Sequence, residues 1–211
     1  MRSRRIRWSL FWLALATPAF AGYVNFEVSH VHPLALTPSG ARLLAINTPD
    51  ARLEVFAVGP GGELALERSI PVGLEPVSVA ARSDTEAWVV NHVSDSVSVV
   101  DLASGAVVRT LRTGDEPTDV IFAAGRAFVS IAGEDALQVF DLATLAAPPL
   151  SVPVFGRKPR ALAVSADGTR VYAVVLHSGN QTAVVNAGVI RNNSANLDAN
   201  RLLALSLNDI T

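Results

Sequence analysis

Apolar and polar residues alternate along most of this chain in runs of about six, the period of two that marks strands with one face buried. Four such runs follow one another in Val77-Ser78-Val79-Ala80-Ala81, Glu86-Ala87-Trp88-Val89-Val90-Asn91, Ser96-Val97-Ser98-Val99-Val100-Asp101 and Ala106-Val107-Val108-Arg109-Thr110-Leu111. Turn residues separate them, Arg82 to Thr85 after the first and Ala103-Ser104-Gly105 after the third. The same order recurs. Pro33, Pro76, Pro117 and Pro159 open four copies at spacings of 43, 41 and 42 residues. A four-stranded unit cannot bury both of its faces alone, and a period of about 40 to 45 residues with four short strands is that of stacked β-propeller blades. The pattern therefore predicts an all-β propeller built of four-stranded antiparallel blades, with about four repeats present.

The later copies follow the same template. The third runs through Val120, Phe128, Val139, Asp141 and Gly156, and the fourth through Leu162-Ala163-Val164-Ser165, the turn Ala166-Asp167-Gly168-Thr169 and Val171-Tyr172-Ala173-Val174-Val175. Leu44, Trp88, Phe128 and Tyr172 hold equivalent places in the second strands, where stacked sheets need bulk between them. Asp167-Gly168 suits a tight hairpin. Gly73, Gly114 and Gly156 are read as the ends of fourth strands, and the prolines that follow open a first strand without sacrificing a ladder hydrogen bond.

The stretch from Trp88 to Val108, with Trp88-Val89-Val90-Asn91 ahead of Ser94-Asp95-Ser96-Val97-Ser98-Val99-Val100-Asp101, resembles the YVTN repeat of bacterial β-propellers. The Gly114-Asp115-Glu116-Pro117 junction and the Ser165-Ala166-Asp167-Gly168 turn resemble it too, and the likeness covers about residues 32 to 176. It implies a disc of about seven blades, more than this chain holds. Four repeats predict either a segment of a longer protein, the reading preferred here, or an open array that self-associates through an exposed sheet edge. Leu202 to Leu207 reads as a third strand that lacks its next partner, and 177–201, rich in Asn, Ser, Ala and Gly, as a long loop insertion.

Composition adds a compartment. Arg2, Arg4, Arg5 and Arg7, the apolar run from Trp8 to Ala16 and the small-residue exit ending at Ala21 read as a signal peptide over 1–21. The apolar run is too short to span a bilayer. Its removal leaves 13 of the 17 basic residues against 19 acidic ones, without a basic cluster, which argues against nucleic acid as a partner. There is no cysteine, so disulfides, thiolate metal sites and covalent haem attachment within this stretch are excluded. One lysine among the basic residues points to a GC-rich bacterial genome, and with the leader to the periplasm, cell surface or medium.

Strands of a blade alternate direction, so the loop after each second strand and the link between blades share one face of the disc. That places His32, Glu75, His92, Asp95, Asp115, Glu116, Arg157, Lys158 and His177 on one rim, the predicted binding surface. His30 joins them on the first linker. The histidines come from different copies and lack ligand spacing, so no metal or other cofactor is expected. No G-x-S-x-G elbow or phosphate-binding glycine loop occurs, and Asp101 and Asp141 sit where hairpin turns need an acceptor. The leading expectation is an exported non-catalytic scaffold that binds a protein, peptide or surface ligand. The alternatives are a lactonase-like hydrolase, which the resemblance implies, and the front portion of a larger exported redox protein with a haem domain.

Overall fold

A computed structural model describes residues 28–177 and the strand Leu202–Ser206; the leader and most of the 177–201 segment lie outside the described residues. All fifteen described elements are strands, arranged as four antiparallel sheets. Blade 1 comprises β1 (Leu34–Leu36), β2 (Arg42–Asn47), β3 (Arg52–Val58) and β4 (Leu64–Pro71). Blade 2 comprises β5 (Pro76–Ala81), β6 (Glu86–Asn91), β7 (Ser96–Asp101) and β8 (Ala106–Arg112). Blade 3 comprises β9 (Pro117–Ala123), β10 (Arg126–Ile131), β11 (Ala136–Asp141) and β12 (Leu150–Pro153). Blade 4 comprises β13 (Arg157–Val164), β14 (Arg170–His177) and β15 (Leu202–Ser206), so Leu202 to Ser206 of the expected run form a third strand, paired with β14, while Leu207 lies outside the described residues. Each sheet is ordered as a simple meander.

The alternation decides how blades stack. On β6, Ala87 and Val89 pack toward blade 1 with Leu44, Leu53 and Val55, whereas Trp88 and Val90 pack toward blade 3 with Ala127, Val129 and Ile131. Phe128 turns the other way on β10, toward Leu162, Val171 and Ala173 of blade 4. Leu44, Trp88 and Phe128 are fully buried, as the need for inter-blade bulk predicts, and Tyr172 at the equivalent place is half-buried. The Trp88 indole meets Phe122 and Phe140 edge-on, with centroids 5.3 and 6.3 Å apart, and donates to Glu86 Oε1 at 2.8 Å.

Repeated polar contacts also join neighbouring blades. Thr48, just after β2, donates its hydroxyl to the carbonyl of Pro76 at 2.7 Å, and His92, just after β6, places Nδ1 3.0 Å from the carbonyl of Pro117. Blade 3 has Ala132 at that place and solves the problem otherwise. Thr118 and Ser130 donate to the carbonyls of Pro159 and Arg160 at 3.0 and 2.7 Å. The glycines Gly73, Gly114 and Gly156 follow the fourth strands by two or three residues rather than ending them, because the ladders stop at Pro71, Arg112 and Pro153.

Candidate functional site

The inner strands β1, β5, β9 and β13 begin on the face that carries the blade linkers, and one side chain gathers them. Asp119 on β9 is completely buried and accepts four hydrogen bonds. Oδ1 takes the Ser78 hydroxyl at 2.5 Å and the Val120 amide at 2.9 Å. Oδ2 takes the Leu162 amide at 2.7 Å and His32 Nδ1 at 2.8 Å. Three of these donors come from the entries to blades 1, 2 and 4. A buried carboxylate is tolerated only with such complete satisfaction.

A carboxylate can only accept, so the His32 tautomer that bonds it carries its proton on Nδ1 and leaves Nε2 as the base of a ring that is 48% exposed. The hydrogen bond to Asp119 raises the His32 pKa above its ordinary value; burial opposes the shift and the Asp119 charge reinforces it. The backbone supports the geometry, since Val31 donates to the Val77 carbonyl and Val79 to the His32 carbonyl, both at 2.9 Å. His30 and His32 lie ahead of β1, and His32 is bridged to β5 at Ser78.

On the linker face there is also a cleft of about 360 Å³, lined by Val28, Glu75, His92, Val93, Asp95, Asp115 and Glu116. Five of the nine rim residues read from the sequence thus meet in one place. Their immediate partners are structural. Glu75 Oε1 accepts the Val28 amide at 2.5 Å, and Asp95 Oδ1 accepts the Glu116 amide at 3.1 Å. Lys158 donates to Glu116 Oε2 at 2.8 Å, and that hydrogen bond is the main reason the Glu116 carboxyl titrates below its ordinary value. Glu75, Glu116 and Lys158 each precede a proline and adopt left-handed backbone, at φ of 54°, 56° and 56°. Arg160 is half-buried and donates to the Ser29 carbonyl at 2.6 Å; burial lowers its pKa against the opposing charge of Glu116.

The remaining rim residues disperse. Arg157 pairs with Asp135 at 3.3 Å on the blade 3–4 junction, and His177 ends β14 exposed, opposite Arg157 in the ladder. The histidines do not converge: His32 is held by Asp119, His92 by Pro117 and His30 by the Thr48 hydroxyl at 2.5 Å. Among the described residues no group of three His, Asp or Glu is placed to hold a metal ion. Asp101 and Asp141 cap the turns after β7 and β11, accepting the amides of Ala103, Ser104 and Ala143 at 2.7 to 2.9 Å.

Asp119, Ser78 and Arg160 escaped the sequence reading. A signal existed: counting two residues from each opening proline gives Ala35, Ser78, Asp119 and Ala161, so one acid stands in a slot otherwise filled by small residues.

No protein-family model matches the chain, and no curated protein matches it. Solved structures do. The chain is similar to the Kuenenia stuttgartiensis hydrazine synthase at 22% identity and a TM-score of 0.63, covering 76% of this chain and 47% of that one. It is similar to a candidate 6-phosphogluconolactonase from Bacteroides uniformis at 22% identity and a TM-score of 0.59, over 69% of this chain and 50% of that one. A Lactobacillus plantarum protein matches at 20% identity and a TM-score of 0.59, over 70% and 48%. The chain spans about half the length of these structures, and at such identities the likeness defines the fold: an all-β assembly of propeller-type blades. These neighbours correct the expectation of a non-catalytic chain. They include a hydrazine synthase and a candidate lactonase, and the blade residues on which that expectation rested build the frame without reporting what its inner face does.

Proposed function

We propose that this chain is the propeller portion of an exported bacterial protein with repeats of the YVTN type, and that its linker face binds and hydrolyses a small cyclic ester. The observation that carries the reading is the His32–Asp119 pair: an imidazole held at 2.8 Å by a fully buried carboxylate while half of its side chain faces solvent. That arrangement is a positioned general base. Nε2 takes a proton from water as the water oxygen bonds to the ester carbonyl carbon. The ring C–O bond then breaks, and the same proton passes to the departing alkoxide oxygen. Asp119 holds the ring orientation and favours the imidazolium formed between the two transfers. The cleft lined by Glu75, His92, Asp95, Asp115 and Glu116 lies on the same face and supplies a polar pocket for the rest of the ligand. The likeness to a candidate 6-phosphogluconolactonase supports lactones as the substrates to try first.

Hydrolysis of a lactone panel by the purified chain tests the reading. His32→Gln is expected to lower kcat/KM by about 10² to 10³, the usual contribution of a positioned base. The wild-type rate should rise with pH through a pKa above 6.5, because the hydrogen bond to Asp119 keeps the proton on the ring for longer. Absence of turnover on every lactone, or an unchanged rate in His32→Gln, would sink the proposal.

A further inference from the structure

The junction of blades 1 and 2 holds a cavity of about 620 Å³ between the end of β4 and the strands β7 and β8, and its lining includes neither His32 nor Asp119. One wall is the side of blade 2 that faces blade 1. There Val100 and Val107 pack into the core shared with blade 1, and the next two rungs on that side are polar, Ser98 opposite Thr110 and Ser96 opposite Arg112. The apolar contact between the blades thus gives way to hydroxyls and a cation where the cavity begins.

The following junction fills the same places differently. Blade 3 carries Ile131, Ala136 and Gln138 where blade 2 has Asn91, Ser96 and Ser98. Gln138 Oε1 accepts the Gly114 amide at 3.2 Å and so ties blade 3 to the linker before it. The counterpart of Gly114 in the linker before blade 2 is Gly73, and Ser98 has no amide with which to make that bridge. Asn91 is completely buried, and its Nδ2 donates to Ser96 Oγ at 3.2 Å and to Ser98 Oγ at 3.0 Å. Each hydroxyl, accepting from Asn91, keeps its own proton to give, and neither proton has a protein acceptor among the described residues. Arg112 lines the same cavity, exposed and without a carboxylate partner among the described residues.

Two further features mark the place as more than a packing gap. Asn91 Oδ1 is buried without a partner, a state that folded proteins rarely keep. Blade 1 has Asn47 there, its amide spent on Asp50 and Glu54, and blade 3 dispenses with the amide altogether. Asn91 also lies against Gly73, where a Cβ would come within 2.6 Å of its Cγ, so a larger residue in the cavity wall would displace the amide that aims the two serines.

We propose that this cavity binds a small hydroxylated carboxylate of the sugar-acid class. The carboxylate takes the Arg112 guanidinium and the Ser96 and Ser98 protons, a charge-assisted set. Asp95 and Thr110, also in the lining, accept from the ligand's hydroxyls, and Val72 and Val107 meet its C–H face. A neutral sugar would leave Arg112 without a counter-charge, and a carboxylate without hydroxyls would face Asp95 with nothing to donate. The volume lies within the range of about 300 to 1,000 Å³ of small-molecule sites. Asp95 is the one residue that also lines the linker-face cleft.

The test is titration calorimetry of the full chain with D-glucuronate, D-glucose and cyclohexanecarboxylate. Glucuronate is expected to saturate one site, and the other two to bind at least about tenfold more weakly. Ser98→Gln installs the residue of blade 3 and should abolish binding by bridging to Gly73, with the circular dichroism spectrum of the wild type. Arg112→Gln alters an exposed side chain and should weaken binding at least about tenfold without affecting the fold. His32→Gln should leave the affinity unchanged, which separates this site from the lactone reading. No saturation by glucuronate at tens of millimolar overturns the proposal. So does glucose or cyclohexanecarboxylate binding as tightly as glucuronate, wild-type affinity in both Ser98→Gln and Arg112→Gln, or loss of binding in His32→Gln.

Discussion

Blades 2 and 3 and blades 1 and 4 are built from the same repeat, yet they hold their side chains in different circumstances. On β6 every residue from Ala87 to Asn91 is buried, because blades lie on both sides. On β14 burial alternates strictly from Val171 to Leu176, and among the described residues only the face toward blade 3 is covered. The difference shows that a blade sequence is written for two neighbours whether or not both are in place. Residues at one repeat position therefore carry unequal energies, and the inequality measures what stacking contributes beyond the sheet itself.

Trp88 and Tyr172 make that measurement directly. Trp88→Ala removes a fully buried indole, its edge contacts with Phe122 and Phe140 and its hydrogen bond to Glu86, and should cost about 3 to 5 kcal/mol in chemical denaturation. Tyr172→Ala, at low protein concentration, should cost about 1 kcal/mol or less, since its outer side already meets solvent. Equal costs at low concentration would mean that the two environments are not distinct.

Asp119→Ala breaks the comparison from another side, because it removes a contact that joins terminal and central blades. The Ser78 hydroxyl, the Leu162 amide and the His32 ring all lose their acceptor, and two of these donors are buried. A loss of about 3 kcal/mol is expected, the scale of removing one partner from a buried hydrogen-bonded charge network. Hydrogen exchange should report faster opening at the starts of β5 and β13 as well as at β9. Faster exchange confined to β9 would show that Asp119 acts within its own blade only.

How much of this was legible beforehand follows from the range of each interaction. Strand positions in blade 2 could be read to within a residue or two from alternation, since a period of two is local information, and the inter-blade roles of Leu44, Trp88 and Phe128 followed from the repeat. Five of the rim residues expected from alternating strand direction line one cleft. The Asp119 centre was not legible, because its partners His32, Ser78 and Leu162 lie 87, 41 and 43 residues away and join only when inner strands of different blades converge. Nor was the backbone strain at Glu75, Glu116 and Lys158 foreseeable, for left-handed φ ahead of proline runs against local preference and is imposed by the blade junctions.

The smallest effect concerns pH, and it separates terminal blade 1 from the central blades by charge rather than by packing. His32 belongs to the entry of blade 1 and its partner to blade 3. Because the folded state raises the His32 pKa, the protonated ring binds its proton more tightly folded than unfolded. The stabilisation is complete below the unfolded value of about 6.5 and is lost as pH rises through the higher folded value. His32→Gln should therefore cost more at pH 5.5 than at pH 8.5. The difference is modest, since a half-exposed pair is screened by solvent. Salt and packing contacts elsewhere do not follow that window, so Arg42→Gln, which removes the exposed Arg42–Glu67 pair at 2.8 Å, should cost the same at both pH values. A pH-independent cost for His32→Gln would mean that Asp119 holds the ring as a neutral donor throughout. Blade 1 would then be attached by its backbone bridge to β5 and by stacking alone.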